Sequence, residues 1–306
     1  MKTVVISGGT GLVGRYLSKK LKQKDYHVSI LSRIQKHDTH ISSIAWQSDK
    51  QTIDSEAIAN ADYIINLSGA NISQQRWSKK RKQLIIDSRV TTIASLFENV
   101  KQTNPNLKAF ISASAIGYYG SITSSKVFTE TDAPADDFLG ETCRQWEQAA
   151  DKFETSGIRT VKIRTGVVLT SEGGALAKMI IPVKIGIASA IGSGKQYLPW
   201  IHIDDLCGIY IKAIEDNQMS GAYNAVAPEH QTNKEFTLTL AQTLNKPFWY
   251  FNIPAIAMKI LFGEMSAILL KGSRISSGKI QTAGYQFIFP TLKSALKDLC
   301  LAKQNN

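Results

Sequence analysis

The chain has 306 residues, of which 43% are hydrophobic and 20% are charged, and its mean hydropathy is −0.12. This balance is typical of a folded globular protein and excludes a mainly disordered chain, and the length suffices for one large domain or two modest ones. The formal net charge of +11 suits anionic partners such as nucleic acid, phosphates or lipid headgroups, but it does not choose among them.

The chain has three widely spaced cysteines, Cys143, Cys207 and Cys300. Without a Cys-x-x-Cys pair they predict neither a disulfide framework nor a zinc ribbon, so a reducing cytoplasm is the expected location. The apolar run after Met1 is shorter than a signal-peptide core, and no export is expected. The longest apolar segment, 253–270, contains Lys259 and Glu264, and is predicted to be an amphipathic helix of a soluble domain.

Short β-branched runs alternate with longer amphipathic stretches over the first two-thirds of the chain, a pattern typical of βαβ units in a parallel sheet. The predicted strands are 4–6, 27–31, 44–46, 63–67, 109–113 and 160–163. The predicted helices are 12–21, 55–59, 77–100 and 136–153. Glycines and prolines then interrupt 170–200, which is predicted to leave the sheet as a substrate-side excursion.

The strongest local signal is the glycine-rich segment GGTGLVG, which joins the first strand to the first helix. Glycines at this junction allow a tight turn and let backbone N–H groups and the positive end of the helix approach a pyrophosphate. Because strand, loop, helix and second strand follow in order, the segment predicts a dinucleotide site. Its predicted cofactor contacts are Gly8, Thr10, Gly11, Leu12, Val13 and Gly14.

The second strand ends in Ser32 and Arg33, where an acidic residue would hold the adenosine ribose of NAD. A carboxylate would repel a 2′-phosphate, whereas a guanidinium can bind it by charge-assisted hydrogen bonds. Arg33, with Lys36 nearby, therefore favours NADP as the cofactor. The alternative is an ordinary solvated arginine at the end of a strand.

Further motifs follow in order along nearly the whole chain: Asn66-Leu67-Ser68-Gly69-Ala70, Arg76-Trp77, Ser88-Arg89, SASAIGYYG at 112–120, RTGVVL at 164–169, PWIHIDD at 199–205, YNAVAP at 223–228 and GYQF at 284–287. With the glycine loop, they resemble the extended short-chain dehydrogenase/reductase superfamily. More narrowly, the chain resembles its atypical branch of nucleoside-diphosphate-sugar epimerase-like proteins, of the SDR39U1 and YfcH type.

The resemblance implies an α/β fold, with a Rossmann-like doubly wound parallel sheet and a small C-terminal substrate-side module. The corresponding domains are 1–247, which includes the excursion near 170–200 and binds NAD(P), and 248–306. It also implies that Leu67, Ser68 and Gly69 contact the cofactor. Substrate would lie between the two parts.

Active members of the superfamily use a Tyr-x-x-x-Lys pair, in which the lysine lowers the tyrosine pKa so that the phenol exchanges a proton during hydride transfer. Here Leu139 and Cys143 stand at the matching positions, within one residue. The pair is therefore missing, and the resemblance leaves the chemistry open.

Three residues are candidates for catalysis. Ser114 matches the family's active-site serine or threonine, which would hydrogen-bond a substrate oxygen. Tyr119, with Tyr118 beside it, could offer a phenol, and Glu141 could serve as a carboxylate base on the helix that normally bears the tyrosine. For each residue the alternative is loop packing or helix capping.

Arg76, Trp77 and Arg89 could line an anionic or ring-bearing ligand, or simply pack at a helix start. The basic run 79–82 is predicted to be a solvated helical face, because no aromatic interleaving or nucleic-acid-reading motif accompanies it. The spacing of the histidines predicts no metal site. The expected partner is a small molecule, which could be anionic, rather than nucleic acid or a membrane, and the oligomeric state is open.

Two functions remain. The first is an NADP-binding oxidoreductase or epimerase-like enzyme that acts on a small polar substrate with nonstandard proton donors. The second is a noncatalytic NADP-responsive binding or regulatory protein that kept the cofactor fold and lost the Tyr-x-x-x-Lys chemistry.

Overall fold

A computed structural model describes residues 1–32, 42–47, 52–53 and 55–301 of the chain. Its strands are β1 (Thr3–Ser7), β2 (His27–Ser32), β3 (Ser42–Gln47), β4 (Thr52–Ile53), β5 (Tyr63–Asn66), β6 (Ala109–Ala115), β7 (Val127–Phe128), β8 (Thr160–Thr165), β9 (Val167–Leu169), β10 (Ala188–Ile191), β11 (Trp200–His202), β12 (Gly221–Ala225), β13 (Phe248–Ile253) and β14 (Arg274–Ile275). Its α-helices are α1 (Leu12–Gln23), α2 (Ser55–Ala59), α3 (Lys79–Thr103), α4 (Phe138–Thr155), α5 (Gly174–Lys184), α6 (Ile203–Glu215), α7 (Asn233–Thr243), α8 (Ala255–Phe262), α9 (Ala267–Leu270), α10 (Gly278–Thr282) and α11 (Leu292–Leu301). Two 3-10 turns span Ile116–Tyr119 and Gly263–Ser266.

The main sheet has eight strands in the order β12-β8-β6-β5-β1-β2-β3-β4. Neighbouring strands pair in parallel except β3 and β4. The order reverses direction at β1, so the carboxyl ends of β1 and β5 flank a crevice where α/β sheets bind ligands. The prediction of a Rossmann-like parallel sheet is confirmed, with every predicted strand in place.

Helices cover both faces of this sheet, because its central strands are apolar on both sides. On one face α3 and α4 pack on Val5, Ile64 and Phe110, and the Phe110 ring stacks on Phe153 with centroids 3.8 Å apart. On the other face α1 and α6 enclose a second core that includes Leu17. The sheet is therefore doubly wound.

The C-terminal segment 285–289 is hydrogen-bonded to α6 through Asp205, a fully buried carboxylate in the first turn of that helix. Its oxygens accept hydrogen bonds from the backbone N–H groups of Ile288, at 2.7 Å, and Phe289, at 3.0 Å. The Tyr285 hydroxyl donates to the same carboxylate at 3.1 Å. These bonds fix the small C-terminal part beside α6, while the boundary at 247/248 stays a prediction.

The prediction of one amphipathic helix over 253–270 is wrong. Residue 253 ends β13, and α8, a 3-10 turn and α9 then follow. Helix α8 ends before Gly263, whose φ of 60° and ψ of −137° form a backbone conformation that glycine adopts and other residues rarely do. Among the described residues, no helix has the length and apolar character needed to span a bilayer.

Candidate functional site

The turn after β1 is built around two glycines that leave no room for a side chain. Gly8 has a φ of +75°, and a Cβ built on it would lie 2.7 Å from the backbone of Leu67 and of Ser68. A Cβ on Gly14 would lie 2.6 Å from the Gly8 carbonyl oxygen. Larger residues would push the loop away from β5 or α1 away from the loop.

This geometry leaves the N-terminus of α1 open. Gly11 is the N-cap and contributes no side-chain acceptor, and the first helical turn, which begins with Leu12 and Val13, contains no acidic residue. The Gly11 N–H donates to the Gly8 carbonyl at 3.0 Å, which closes the turn, and Thr10 and Gly11 are exposed at its tip. Uncapped N–H groups and the positive helix end together favour a pyrophosphate here.

The loop after β5 lies against the glycine loop, because β1 and β5 are paired. Ser7 donates through its hydroxyl to the Asn66 side-chain oxygen at 2.9 Å, and its hydroxyl lies 2.5 Å from that of Ser68. The Leu67 N–H donates to the Ser7 carbonyl at 2.8 Å. These bonds place Leu67, Ser68 and Gly69 beside the turn, as a shared cofactor surface requires.

Ser88 and Arg89 of α3 hold the next part of this loop. The Ala70 N–H donates to the Ser88 hydroxyl at 2.9 Å, and the Arg89 guanidinium donates to the Ala70 carbonyl at 3.2 Å. A Cβ on Gly69 would lie 3.0 Å from the Arg89 Cζ, so the guanidinium occupies the space that a side chain would need. Burial lowers the Arg89 pKa to about 10, still far above neutral pH.

The other residues of this segment predicted to face a ligand are engaged within the protein. The Trp77 indole is buried and donates to the Ile72 carbonyl at 2.9 Å, while Arg76 donates to the carbonyl of Leu261 in α8 at 2.9 Å. The prediction of a fully solvated 79–82 run is wrong for Arg81, which is buried and donates to the Asn71 carbonyl. Arg81 therefore holds the loop after β5 against α3, and Arg76 joins this loop to α8.

The predicted binding site for the adenosine end of the cofactor lies only partly within the described residues. Ser32 closes β2, next to β1 in the sheet and on the same edge as the glycine loop. Arg33 and Lys36 lie outside the described residues. The selection of NADP by Arg33 therefore stays a prediction from sequence.

Ser114 lies near the end of β6, where its partner is a carboxylate within the protein. Its hydroxyl donates to Glu147 of α4 at 2.7 Å. Glu147 also forms a bidentate ion pair with Arg164 of β8, with two nitrogen–oxygen distances of 2.8 Å. All three side chains are buried, so this hydroxyl meets the protein rather than an open cleft.

Tyr119 extends the same arrangement. Its hydroxyl accepts a hydrogen bond from Arg164 at 2.9 Å and donates to the side-chain oxygen of Asn224 at 2.7 Å. Burial raises the pKa of Tyr119 to about 12, although the contacts with Arg164 and Asn224 partly offset that rise. A phenol held in this way is a poor proton donor at neutral pH.

We call Ser114, Glu147, Arg164, Tyr119 and Asn224 the buried polar network. Glu147, Arg164 and Asn224 had no assigned role in the sequence reasoning. A signal was present, since an arginine inside a buried strand requires a carboxylate partner.

Glu141 lies on the surface of α4, away from the buried polar network. Arg144 donates to its carboxylate at 2.7 and 2.5 Å, and Gln145 donates at 2.6 Å. The hydrogen bonds from Arg144, and to a smaller extent the one from Gln145, lower the Glu141 pKa to about 2. A carboxylate with so low a pKa is a weak general base, and its role in catalysis stays a prediction that this geometry does not favour.

The two positions of the missing Tyr-x-x-x-Lys pair do face the loop after β6. A Cβ on Gly117 would lie 3.3 Å from the Leu139 side chain and 3.6 Å from the Cys143 sulfur. Both side chains are buried, and burial raises the Cys143 pKa to about 12, so its thiol stays protonated. Neither side chain therefore supplies the acid–base chemistry of a tyrosine–lysine pair. No cluster of metal-ligating side chains occurs in the described part of the chain.

Comparison with known proteins agrees with this geometry. Residues 4–226 match the model of the NAD dependent epimerase/dehydratase family, and residues 253–299 match a domain of unknown function, DUF1731. An epimerase family protein of Staphylococcus aureus is 36% identical over 301 residues, which cover 98% of this chain and 99% of that protein.

Two solved structures are also similar. The human epimerase family protein SDR39U1 (isoform 2) with NADPH has a TM-score of 0.86 and 30% identity, covering 99% of this chain and 100% of that one. The nucleoside-diphosphate sugar epimerase of Corynebacterium glutamicum has a TM-score of 0.79 and 29% identity. The match covers 99% of this chain and 60% of that one. The chain therefore belongs to the NAD dependent epimerase/dehydratase family, in the atypical NAD(P)-binding branch that includes SDR39U1.

Proposed function

We propose that this protein binds NADPH between the glycine loop and the loop after β5, and acts as an NADPH-responsive binding protein. The observation that carries this proposal is the open N-terminus of α1. It follows a turn in which a Cβ on Gly8 or on Gly14 would collide with backbone atoms. These residues fit a dinucleotide, because a pyrophosphate can approach uncapped N–H groups only where no side chain intervenes.

The choice of NADPH over NADH rests on two supports. Arg33 follows Ser32 at the position where an acid would bind the ribose of NAD, and the human relative's structure was determined with NADPH. When bound, NADPH supplies a hydride. The protein's own contribution is to hold the diphosphate with the amides of α1 and to hold the adjacent loop with Ser88 and Arg89.

A binding role is favoured over catalysis because all three predicted catalytic side chains have partners within the protein. Ser114 donates to Glu147, Tyr119 bridges Arg164 and Asn224, and Glu141 is paired with Arg144. A group that exchanges a proton with substrate must reach it, at a suitable pKa.

The second candidate is an NADPH-dependent oxidoreductase or epimerase-like enzyme acting on a small polar substrate. Tyr118 favours it: this tyrosine is half-buried, beside Tyr119 in the loop after β6, and the Arg164 guanidinium lies 3.4 Å from its ring centroid. The Tyr118 hydroxyl, unlike that of Tyr119, is not part of the buried polar network, so it could serve as a proton donor in place of the missing pair.

Calorimetry with NADPH, followed by a turnover assay with nucleotide sugars, ketones and quinones, tests the two candidates. The binding role predicts saturable NADPH affinity and no hydride transfer to these acceptors. Robust turnover would overturn it, and loss of that turnover in Tyr118→Phe but not in Ser114→Ala would assign the proton to Tyr118. No affinity for NADPH or NADH would overturn both candidates.

A further inference from the structure

One continuous surface of this protein is far more apolar than the rest. Among the described residues, nine large apolar side chains with more than half of their area exposed lie in two segments, 181–187 and 249–261, and only Met1 and Ile288 match them elsewhere. We call these nine the apolar face: Ile181, Ile185, Ile187, Trp249, Tyr250, Phe251, Ile256, Ile260 and Leu261.

The two segments are joined by direct hydrogen bonds. β10 and β13 pair in parallel, with Ser189 opposite Trp249, and the Trp249 indole donates to the Gly186 carbonyl at 2.7 Å. The Asn252 side chain donates to the Gly192 carbonyl at 2.9 Å, close to the start of α8. The end of α5, the strand β13 and the start of α8 therefore lie side by side.

The exposure of β13 is unusual for a strand. Trp249, Tyr250 and Phe251 are consecutive and alternate across the strand, so β13 projects far enough to expose apolar side chains on both of its sides, with exposed fractions of 52%, 75% and 86%. The apolar face as a whole presents on the order of 1,000 Å², against roughly 300–600 Å² for the largest apolar patch of a typical monomer. A surface of this size indicates an interaction partner.

The two segments that carry the apolar face hold charges of one sign only, and the next acid along the chain, Glu264, is paired with Lys82. Segments 174–195 and 245–262, which carry the face, contain no aspartate or glutamate. They contain five lysines, all exposed: Lys178, Lys184, Lys195, Lys246 and Lys259. Lys234 of α7 lies beside them, with its Nζ 5.5 Å from the Tyr250 ring centroid.

From this combination we infer that the apolar face docks on the surface of an anionic lipid bilayer, with the aromatic side chains at the headgroup boundary and the lysines against the headgroups. Tryptophan, tyrosine and lysine are the residues that anchor proteins at this boundary. A second copy of the chain fits less well, because a two-fold contact would set the same lysine-rich patch against itself. This inference departs from the expectation of no membrane partner, and it does not depend on cofactor binding.

Flotation with lipid vesicles tests the inference on the full chain. We expect binding to vesicles of mixed phosphatidylcholine and phosphatidylglycerol, much weaker binding to phosphatidylcholine alone, and weakening by salt. Phe251→Ser should weaken binding roughly tenfold or more, since a large apolar side chain is lost from the contact. Lys246→Glu should weaken it by at least about fivefold.

Ile288→Ser is the matched control, because Ile288 is 62% exposed outside the face, and it should bind vesicles like the parent. A circular dichroism spectrum and a thermal unfolding midpoint like those of the parent would show that each variant is folded. Equal flotation of parent and Phe251→Ser would overturn the inference. So would a dimer in sedimentation velocity without vesicles that dissociates in Phe251→Ser, since a second copy would then cover the face.

Discussion

Two regions at the same edge of the sheet are built on opposite principles. In the glycine loop, Gly8 and Gly14 leave no room for a side chain and the first amides of α1 have no side-chain cap, so a ligand can complete the structure. At the ends of β6 and β8, Ser114 and Tyr119 have their hydrogen bonds supplied by buried neighbours. This difference supports the proposal that the glycine loop binds the cofactor, whereas the hydroxyls of Ser114 and Tyr119 are engaged within the fold.

The largest effect is expected from breaking the buried polar network. Glu147→Gln leaves the Arg164 guanidinium buried without a counter-charge, which should lower the free energy of unfolding by about 3–5 kcal/mol. Chemical denaturation monitored by circular dichroism measures this change. Glu141→Gln on the same helix is the control, because its exposed pair with Arg144 should contribute no more than about 1 kcal/mol. Equal losses in both variants would contradict the account of this region.

The cofactor region should respond to the smallest possible added side chain. Gly14→Ala places a Cβ 2.6 Å from the Gly8 carbonyl oxygen and should weaken NADPH binding about 100-fold, or ~3 kcal/mol. Calorimetry measures the change, and Lys19→Ala, at an exposed position of the same helix, is the control. Parent-like affinity in Gly14→Ala would show that the dinucleotide does not bind over this turn.

The variant Arg33→Ala should distinguish the binding of NADPH from the binding of NADH. Removal of a charge-assisted contact with the 2′-phosphate should weaken NADPH binding by roughly 10- to 100-fold and leave NADH binding unchanged. Titration of both nucleotides into both proteins measures this. An equal loss for NADPH and NADH would mean that Arg33 acts on the fold instead.

Tyr119→Phe should give the smallest effect, about 1–2 kcal/mol of unfolding free energy at pH 7, because it removes one hydroxyl from a buried hydrogen-bonded site. The Tyr119 pKa is raised to about 12 from an ordinary value of 10.0. The contribution of its protonated form is therefore complete below pH 10 and is lost as pH rises through 12.

Chemical denaturation at increasing pH should then show that the difference in unfolding free energy between parent and Tyr119→Phe becomes smaller above pH 10. A difference that becomes smaller already near pH 7 would mean that the phenol ionises readily, as a catalytic tyrosine does.

Much of the sheet could be predicted because each strand is a short apolar run bounded by turn residues, and the βαβ order leaves few topologies. The glycine loop could be predicted because only glycine fits its turn. The ends of α3 could not: the helix begins at Lys79 rather than at 77 and ends at Thr103 rather than at 100, because apolar spacing does not mark where a helix caps or frays.

The burial of Arg81 and the choice of partners within the buried polar network could not be predicted for a different reason. Arg81 lies among lysines in sequence, and only tertiary packing turns it toward the Asn71 carbonyl. Ser114 and Arg164 face each other in the register of β6 and β8, and Glu147 reaches them from α4. Sequence spacing alone does not reveal which charged groups meet across the fold.

Hydrogen–deuterium exchange of the full chain with and without NADPH shows whether the glycine loop and the loop after β5 bind this cofactor. We expect slower exchange on NADPH addition in peptides covering 8–15 and 66–70, where the ligand would take up the uncapped amides and close the crevice. Peptides of the β6 strand should change little. No protection in the two loops at saturating NADPH would contradict the account.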